Sequence, residues 1–198
     1  KWNRRFKTKN HRERDLRKAT TEILRMSSAL GLPDSASETA SVIYRKAGSE
    51  DLIKGYAIES IASAAVYISA RLENIPRTFE EVGSVSRVGL DRVRRAQTHL
   101  RRELMLEVEP ADPVEYIPRY SSNINAEHDI RNEAKRLSRH FMESQYASGR
   151  DPSNIAAAAL YTASLYHDQN FIQSTIADAC QTTGATIRET MPLLVDAD

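Results

Sequence analysis

Ile61-Ala62-Ser63-Ala64-Ala65-Val66-Tyr67-Ile68-Ser69-Ala70-Arg71 returns as Ile155-Ala156-Ala157-Ala158-Ala159-Leu160-Tyr161-Thr162-Ala163-Ser164-Leu165, at a constant offset of 94 (155 − 61). The offset holds without a gap from Gly55/Gly149 through Val82/Ile176 and Val93/Ile187 to Arg94/Arg188 and Leu100/Leu194. Each stretch is rich in alanine and carries no charge across its ten central residues. A helix that is apolar nearly all round must be wrapped by other helices. Alanine lets those neighbours approach to the short end of helix–helix distances, and eleven such residues are too few to span a bilayer. Two unrelated buried helices would not keep the flanking Gly, Val/Ile and Arg at one offset. The chain therefore reads as a tandem duplication of one helical domain.

The 198 residues accommodate two domains of roughly 90–100 residues each. A repeat of this length lies far beyond the roughly 20–50 residues of a solenoid. The single cysteine, Cys180, excludes an intramolecular disulfide and a multi-thiolate zinc site. No signal peptide or transmembrane span is read, so an intracellular setting is expected. The first residue is Lys rather than Met, which predicts a fragment of a longer chain. Charge is unevenly spread. Residues 1–18 hold nine basic groups against Glu13 and Asp15. Residues 1–110 hold 21 basic and 15 acidic groups, net +6, and the remainder 7 and 12, net −5. A basic leading segment fits contact with nucleic acid or an acidic partner, and equally a solvated tail.

Residues 1–12 lack an apolar period beyond Trp2 and Phe6 and read as a basic linker arm. The first repeat spans 13–108, with helices expected over 13–30, 36–46, 57–72, 79–86 and 90–104. Thr78-Phe79-Glu80-Glu81 is a capping box for the fourth. Residues 109–113 form a linker with two prolines, and 114–198 the second repeat, whose helices are expected over 127–146, 152–166, 172–180 and from 183.

Each repeat ends with a short helix, a tight turn and a longer helix, the layout of a helix-turn-helix, whose second helix offers its first turns to base edges. In the second repeat those residues are Ala185, Thr186 and Arg188, with Thr183 as N-cap; arginine reads guanine with two hydrogen bonds. In the first, Arg92, Arg95, His99 and Arg102 share a helix face at steps of three and four. The same layout also occurs in packed all-α domains that bind no DNA. Enzymatic readings fare poorly: five scattered histidines form no metal motif, and no glycine-rich phosphate loop exists. No catalytic residue, metal site or cofactor is expected.

The paired five-helix repeats, each with an Ala-Ala-x-Tyr central helix, resemble the two cyclin-like folds of archaeal transcription factor B, the counterpart of eukaryotic TFIIB. Lys1-Trp2-Asn3-Arg4-Arg5, Met26-Ser27-Ser28-Ala29-Leu30-Gly31-Leu32-Pro33, Glu38-Thr39-Ala40-Ser41-Val42-Ile43-Tyr44-Arg45 and Ile75-Pro76-Arg77-Thr78-Phe79-Glu80-Glu81-Val82 carry the likeness in the first repeat. Pro113-Val114-Glu115-Tyr116-Ile117-Pro118-Arg119, Gly149-Arg150-Asp151-Pro152, Ala156–Tyr161 and Thr186-Ile187-Arg188 carry it in the second. The resemblance implies an all-α, non-catalytic initiation factor, cytoplasmic and associated with the nucleoid. Its partners would be the TATA-binding protein, promoter DNA and RNA polymerase, with no membrane and no small-molecule substrate. It implies DNA contacts by Arg188, Thr186, Ala185, Thr183, Gln173, Arg92, Arg95 and Arg102, and TATA-binding-protein contacts by Arg71 and Lys54. Lys1, Trp2, Arg4 and Arg5 would meet polymerase or opening DNA. Zinc is implied only in a ribbon preceding this chain.

The family pattern is broken in places. Tyr56 stands where a basic residue is usual, and Phe171-Ile172-Gln173 replaces Arg-Thr-Gln, removing a phosphate-binding group and a hydroxyl cap. Pro192 is expected to end or kink the last helix. A cyclin-like adaptor with reduced DNA binding is the alternative reading, and a free-standing helix-turn-helix repressor a third.

Overall fold

The computed structural model describes residues 2–167 and 169–197, with side chains from Arg12 onward. The described residues form helices and no strands: α1 Trp2–Ala29, α2 Asp34–Ser49, α3 Ile58–Leu72, α4 Phe79–Val85, α5 Leu90–Glu103, α6 Pro113–Asn123, α7 His128–Glu143, α8 Pro152–Tyr166, α9 Gln173–Ala179 and α10 Gly184–Ala197. The chain divides into two compact units, 1–109 and 110–198. Helices α7 to α10 begin and end 94 positions after α2 to α5, and α6 ends 94 after α1 (123 − 29). The duplication has therefore kept every helix boundary except the start of the first helix, where α1 is longer than α6.

In the first unit α3 is the axis. Ser60 to Val66 are buried without interruption, and α1, α2, α4 and α5 all pack against this helix. In the second unit α8 does the same among α6, α7, α9 and α10, with Ile155 to Leu160 buried. Side chains that end at the β-carbon are what let several helices meet one axis. Tyr67, one of the few half-exposed residues of α3, stacks on Phe79 of α4 with ring centroids 3.9 Å apart. The buried hydroxyl at the middle of α3 is bonded locally. Ser63 Oγ, fully buried, donates to the Glu59 carbonyl at 2.7 Å and lies 2.8 Å from Ser86 Oγ.

The ends of the elements follow from their residues. Thr78 and Glu81 form both halves of the capping box on α4. Helix α1 starts at Trp2 rather than near Glu13, because no Gly or Pro interrupts residues 2–29 and Lys, Arg and Glu are good helix formers. Helix α2 runs through Gly48 to Ser49. Asp112, within the stretch read as linker, caps α6 by accepting the Val114 amide at 2.8 Å. The expectation that Pro192 could end the last helix is corrected: α10 runs past it to Ala197. Pro192 is exposed, so water can serve the carbonyl that it leaves unbonded, while buried Ile187, Thr190 and Leu194 hold the opposite face down.

One buried carboxylate ties the helix-turn-helix of the first unit to α1. Glu22, 3% exposed, accepts two hydrogen bonds from Arg25 at 2.6 and 3.0 Å and sits 3.4 Å from Arg87 in the α4–α5 turn. Arg25 in turn donates to the Val85 carbonyl at the end of α4, at 2.6 Å. The Arg25 hydrogen bond holds the Glu22 carboxyl below its ordinary value, and the neighbouring charges of Arg25 and Arg87 add to it against the opposing effect of burial. A carboxylate with a depressed folded-state pKa contributes stability above the unfolded value of about 4.3 and loses it as pH falls through the folded value.

Two outcomes follow for stability. A fragment ending at Asp112 should be helical and melt cooperatively on its own, read by circular dichroism; an unfolded fragment would refute independent folding of the first unit. Glu22→Gln should lower stability near pH 7 by about 1–3 kcal/mol. The difference from wild type should shrink below about pH 4, as measured by chemical denaturation at several pH values.

Candidate nucleic-acid interface

The equivalent central helices begin differently in the two units. Helix α8 is closed by its own sequence: Asp151 Oδ1 accepts the Ser153 amide at 2.8 Å and the Ser153 hydroxyl at 2.6 Å. Helix α3 has Ala57 at the equivalent position and no side-chain cap. Its first amide groups are left without an intrahelical partner and carry the positive end of the helix dipole. They open into a cleft of about 340 Å³ lined by Gly55, Tyr56, Ala57, Ser60, Arg92 and Arg95. Gly55 adopts φ +85 and Gly149, its counterpart, φ +77, a conformation that favours glycine at this approach to both axes.

The cleft gathers positive groups that have no partner of their own among the described residues. Arg92 and Arg95 are exposed on α5 and make no ion pair or hydrogen bond among the described residues. Ser60 is 2% exposed, lines the cleft, and its hydroxyl is likewise unbonded. The loop that forms the rim is latched to α5. Tyr56 stacks on His99 with centroids 4.8 Å apart, and His99 Nε2 lies 3.0 Å from the Leu52 carbonyl. In the second unit the counterparts of Arg92, Arg95 and Ser60 are Thr186, Glu189 and Asn154. Asn154 accepts the Thr182 hydroxyl at 2.6 Å, so nothing there awaits an anion.

The second unit offers its helix-turn-helix instead. Thr183 caps α10 by accepting the Thr186 amide at 3.1 Å, and its hydroxyl lies 2.9 Å from that of Thr186. Arg188 is exposed one turn in and donates from Nη1 to Gln173 Oε1 at 2.6 Å. Gly184 makes room for this pair, since a β-carbon there would come within 3.3 Å of both atoms. Arg94, the counterpart of Arg188, is held by a carboxylate, Glu80, at 2.8 Å and lies over the Phe79 ring. A neutral amide orients Arg188 without cancelling its charge. Ala185 is exposed beside it. Ile172 heads α9 without a side-chain cap and is 73% exposed.

Thr183, Thr186, Arg188 and Gln173 thus come together, as do Arg92 and Arg95, while Arg102 is tied to Glu103 at 2.7 Å. Lys54 is exposed and paired with Asp51 at 2.9 Å. Arg71 is only 7% exposed and donates to the Glu109 carbonyl at 2.8 Å, which leaves little of it for a partner. Lys1 and the side chains of Trp2, Arg4 and Arg5 lie outside the described residues. Ser60, the Tyr56–His99 latch and Gly184 were not found from sequence. Comparing the repeats position by position for lost caps and changed charge would have found the first of these.

Tandem five-helix units, each closed by a helix-turn-helix around an alanine-rich axis, define a duplicated all-helical class of protein. The sequence pattern of the Transcription factor TFIIB repeat matches twice, over residues 12–103 and 106–197. The chain belongs to the TFIIB family. It is 43% identical over 197 residues to Transcription initiation factor IIB 4 of Halobacterium salinarum, covering 100% of this chain and 60% of that protein. It is 40% identical over 188 residues to Transcription initiation factor IIB of Methanosarcina mazei, covering 95% and 56%. The chain thus spans about three-fifths of the length of the curated relatives it matches. No helix among the described residues is long and apolar enough to cross a membrane.

Copying the second unit's cap into the first tests the cleft. Sulfate should raise the melting temperature of the wild-type chain at constant ionic strength. Ala57→Asp should add about 0.5–2 kcal/mol of stability without the anion and abolish the sulfate response. A variant that still responds to sulfate would show that the anion acts elsewhere.

Proposed function

We propose that this chain is the core of a general transcription initiation factor that joins a complex of the TATA-binding protein with promoter DNA and recruits RNA polymerase. The uncapped α3 N-terminus facing two unpaired arginines carries this reading. A backbone phosphate supplies what amide N–H groups and guanidinium groups both accept. In the first unit Arg92 and Arg95 meet phosphates, with Arg102 further along the same helix. In the second, Arg188 reads a base in the upstream element, oriented by Gln173, with Ala185, Thr186 and Thr183 around it. The TATA-binding protein meets Lys54 and, at its exposed edge, Arg71. Lys1, Trp2, Arg4 and Arg5 serve polymerase or opening DNA. The factor works in the cytoplasm at the nucleoid and needs no cofactor in this part of the chain.

The acidic second unit and exposed Ile172 favour a second reading for that half alone, a cyclin-like adaptor whose DNA binding is reduced. A gel-shift with TATA-box DNA separates the two. The initiation-factor reading requires a ternary complex with the TATA-binding protein and little binding without it; the adaptor binds protein in the absence of DNA. Arg188→Ala should cost about 1–3 kcal/mol on promoters carrying the upstream element and relax preference at one base pair, with little loss on promoters lacking it. Equal loss on both would make Arg188 a phosphate contact, and no loss on either would favour the adaptor.

A further inference from the structure

The N-terminal turn of α3 borders a second basic cleft on another side. It encloses about 390 Å³ and is lined by Arg14, Arg17, Lys18, Thr21 and Glu22 of α1, Ile58 and Glu59 of α3, and Arg87 of the α4–α5 turn. Four cations face two carboxylates, and one of these, Glu22, is already satisfied by Arg25 and Arg87. Arg14, Arg17 and Lys18 are exposed and make no ion pair or hydrogen bond through their side chains among the described residues. They contribute nothing visible to the fold. Arg87 is matched 94 positions further on by Gln181, and the second unit's first helix, α6, begins only at Pro113, beyond the positions that would match Arg14, Arg17 and Lys18. The second unit therefore folds with no counterpart of this cationic stretch of α1.

We infer that this cleft is a second seat for the nucleic-acid backbone, continuous with the Arg92–Arg95 cleft across the open end of α3. Ala57 and Ser60 line one cleft and Ile58 and Glu59 the other, so the uncapped amides stand between two groups of cations. Successive phosphates of one strand would pass from Arg92 and Arg95 over the α3 terminus to Arg14, Arg17 and Lys18. An acidic protein surface is the weaker occupant. Protein interfaces are anchored by buried aromatic or apolar side chains, and Ile58 is the one aliphatic or aromatic residue in this lining. The inference rests on the promoter-binding reading, and its test keeps the two apart.

The full chain with Arg14→Gln, Arg17→Gln and Lys18→Gln is titrated into promoter DNA and TATA-binding protein at several salt concentrations. The thermal midpoint should match wild type, since no partner is lost. The slope of log affinity against log salt should fall by about 0.9 for each phosphate contact removed. Arg14→Lys, Arg17→Lys and Lys18→Arg together should restore it. An unchanged slope overturns the inference, and if polymerase recruitment is lost at that unchanged slope, the occupant is an acidic protein surface. A wild-type chain that forms no ternary complex overturns the promoter reading and this seat with it.

Discussion

Close approach of helices to an alanine-rich axis is the constraint from which the rest follows. In the buried middle of α3 and α8, Ala62, Ala64 and Ala65 and their counterparts Ala156, Ala158 and Ala159 end at the β-carbon, and four neighbours reach each axis. Where an alanine of such a helix faces a neighbour, a larger side chain would push that neighbour out. The two stretches have therefore stayed alike, Ile61–Ala70 against Ile155–Ser164, while their ends have drifted. Variation was tolerated where packing does not decide: at caps, on outward faces and in turns.

Charge divides along that drift. A single exchange, Ala57 against Asp151, leaves one axis with unsatisfied amides and closes the other with a carboxylate. Around the first gather Arg92 and Arg95; around the second stand Thr186 and Glu189. The arginines that lead the two recognition-type helices have diverged in the opposite sense, Arg94 neutralised by Glu80 and Arg188 merely oriented by Gln173. Each unit thus keeps a different part of one electrostatic design.

The fold was legible from sequence because a repeat reports itself. The offset, the capping box at Thr78 and the proline after Asp151 located most helices to within a few residues. The start of α1 was not legible, since residues 2–12 have helix-forming residues but no apolar face to mark them. Pro192 misled because a proline rule speaks of one lost hydrogen bond, whereas buried Leu194 beyond it decides whether the chain stays helical. Arg71, which the resemblance assigns to the TATA-binding protein, is buried and donates to the Glu109 carbonyl, a burial that its charge did not announce. Spacing along one helix grouped Arg102 with Arg92 and Arg95, and could not show that Arg102 pairs with its neighbour Glu103 while the other two stay unpaired among the described residues.

Two near-identical axes in one polypeptide raise a hazard during synthesis, since tandem domains of similar sequence are prone to exchange elements. The buried hydroxyl of Ser63 distinguishes the two axes. It is shared with Ser86 in its own unit, and the matching residue of α8 is Ala157, whose partner position is Cys180. If α8 entered the slot of α3, Ser86 would lose that partner. A wrongly threaded chain would thus give up a hydrogen bond that the native pairing makes.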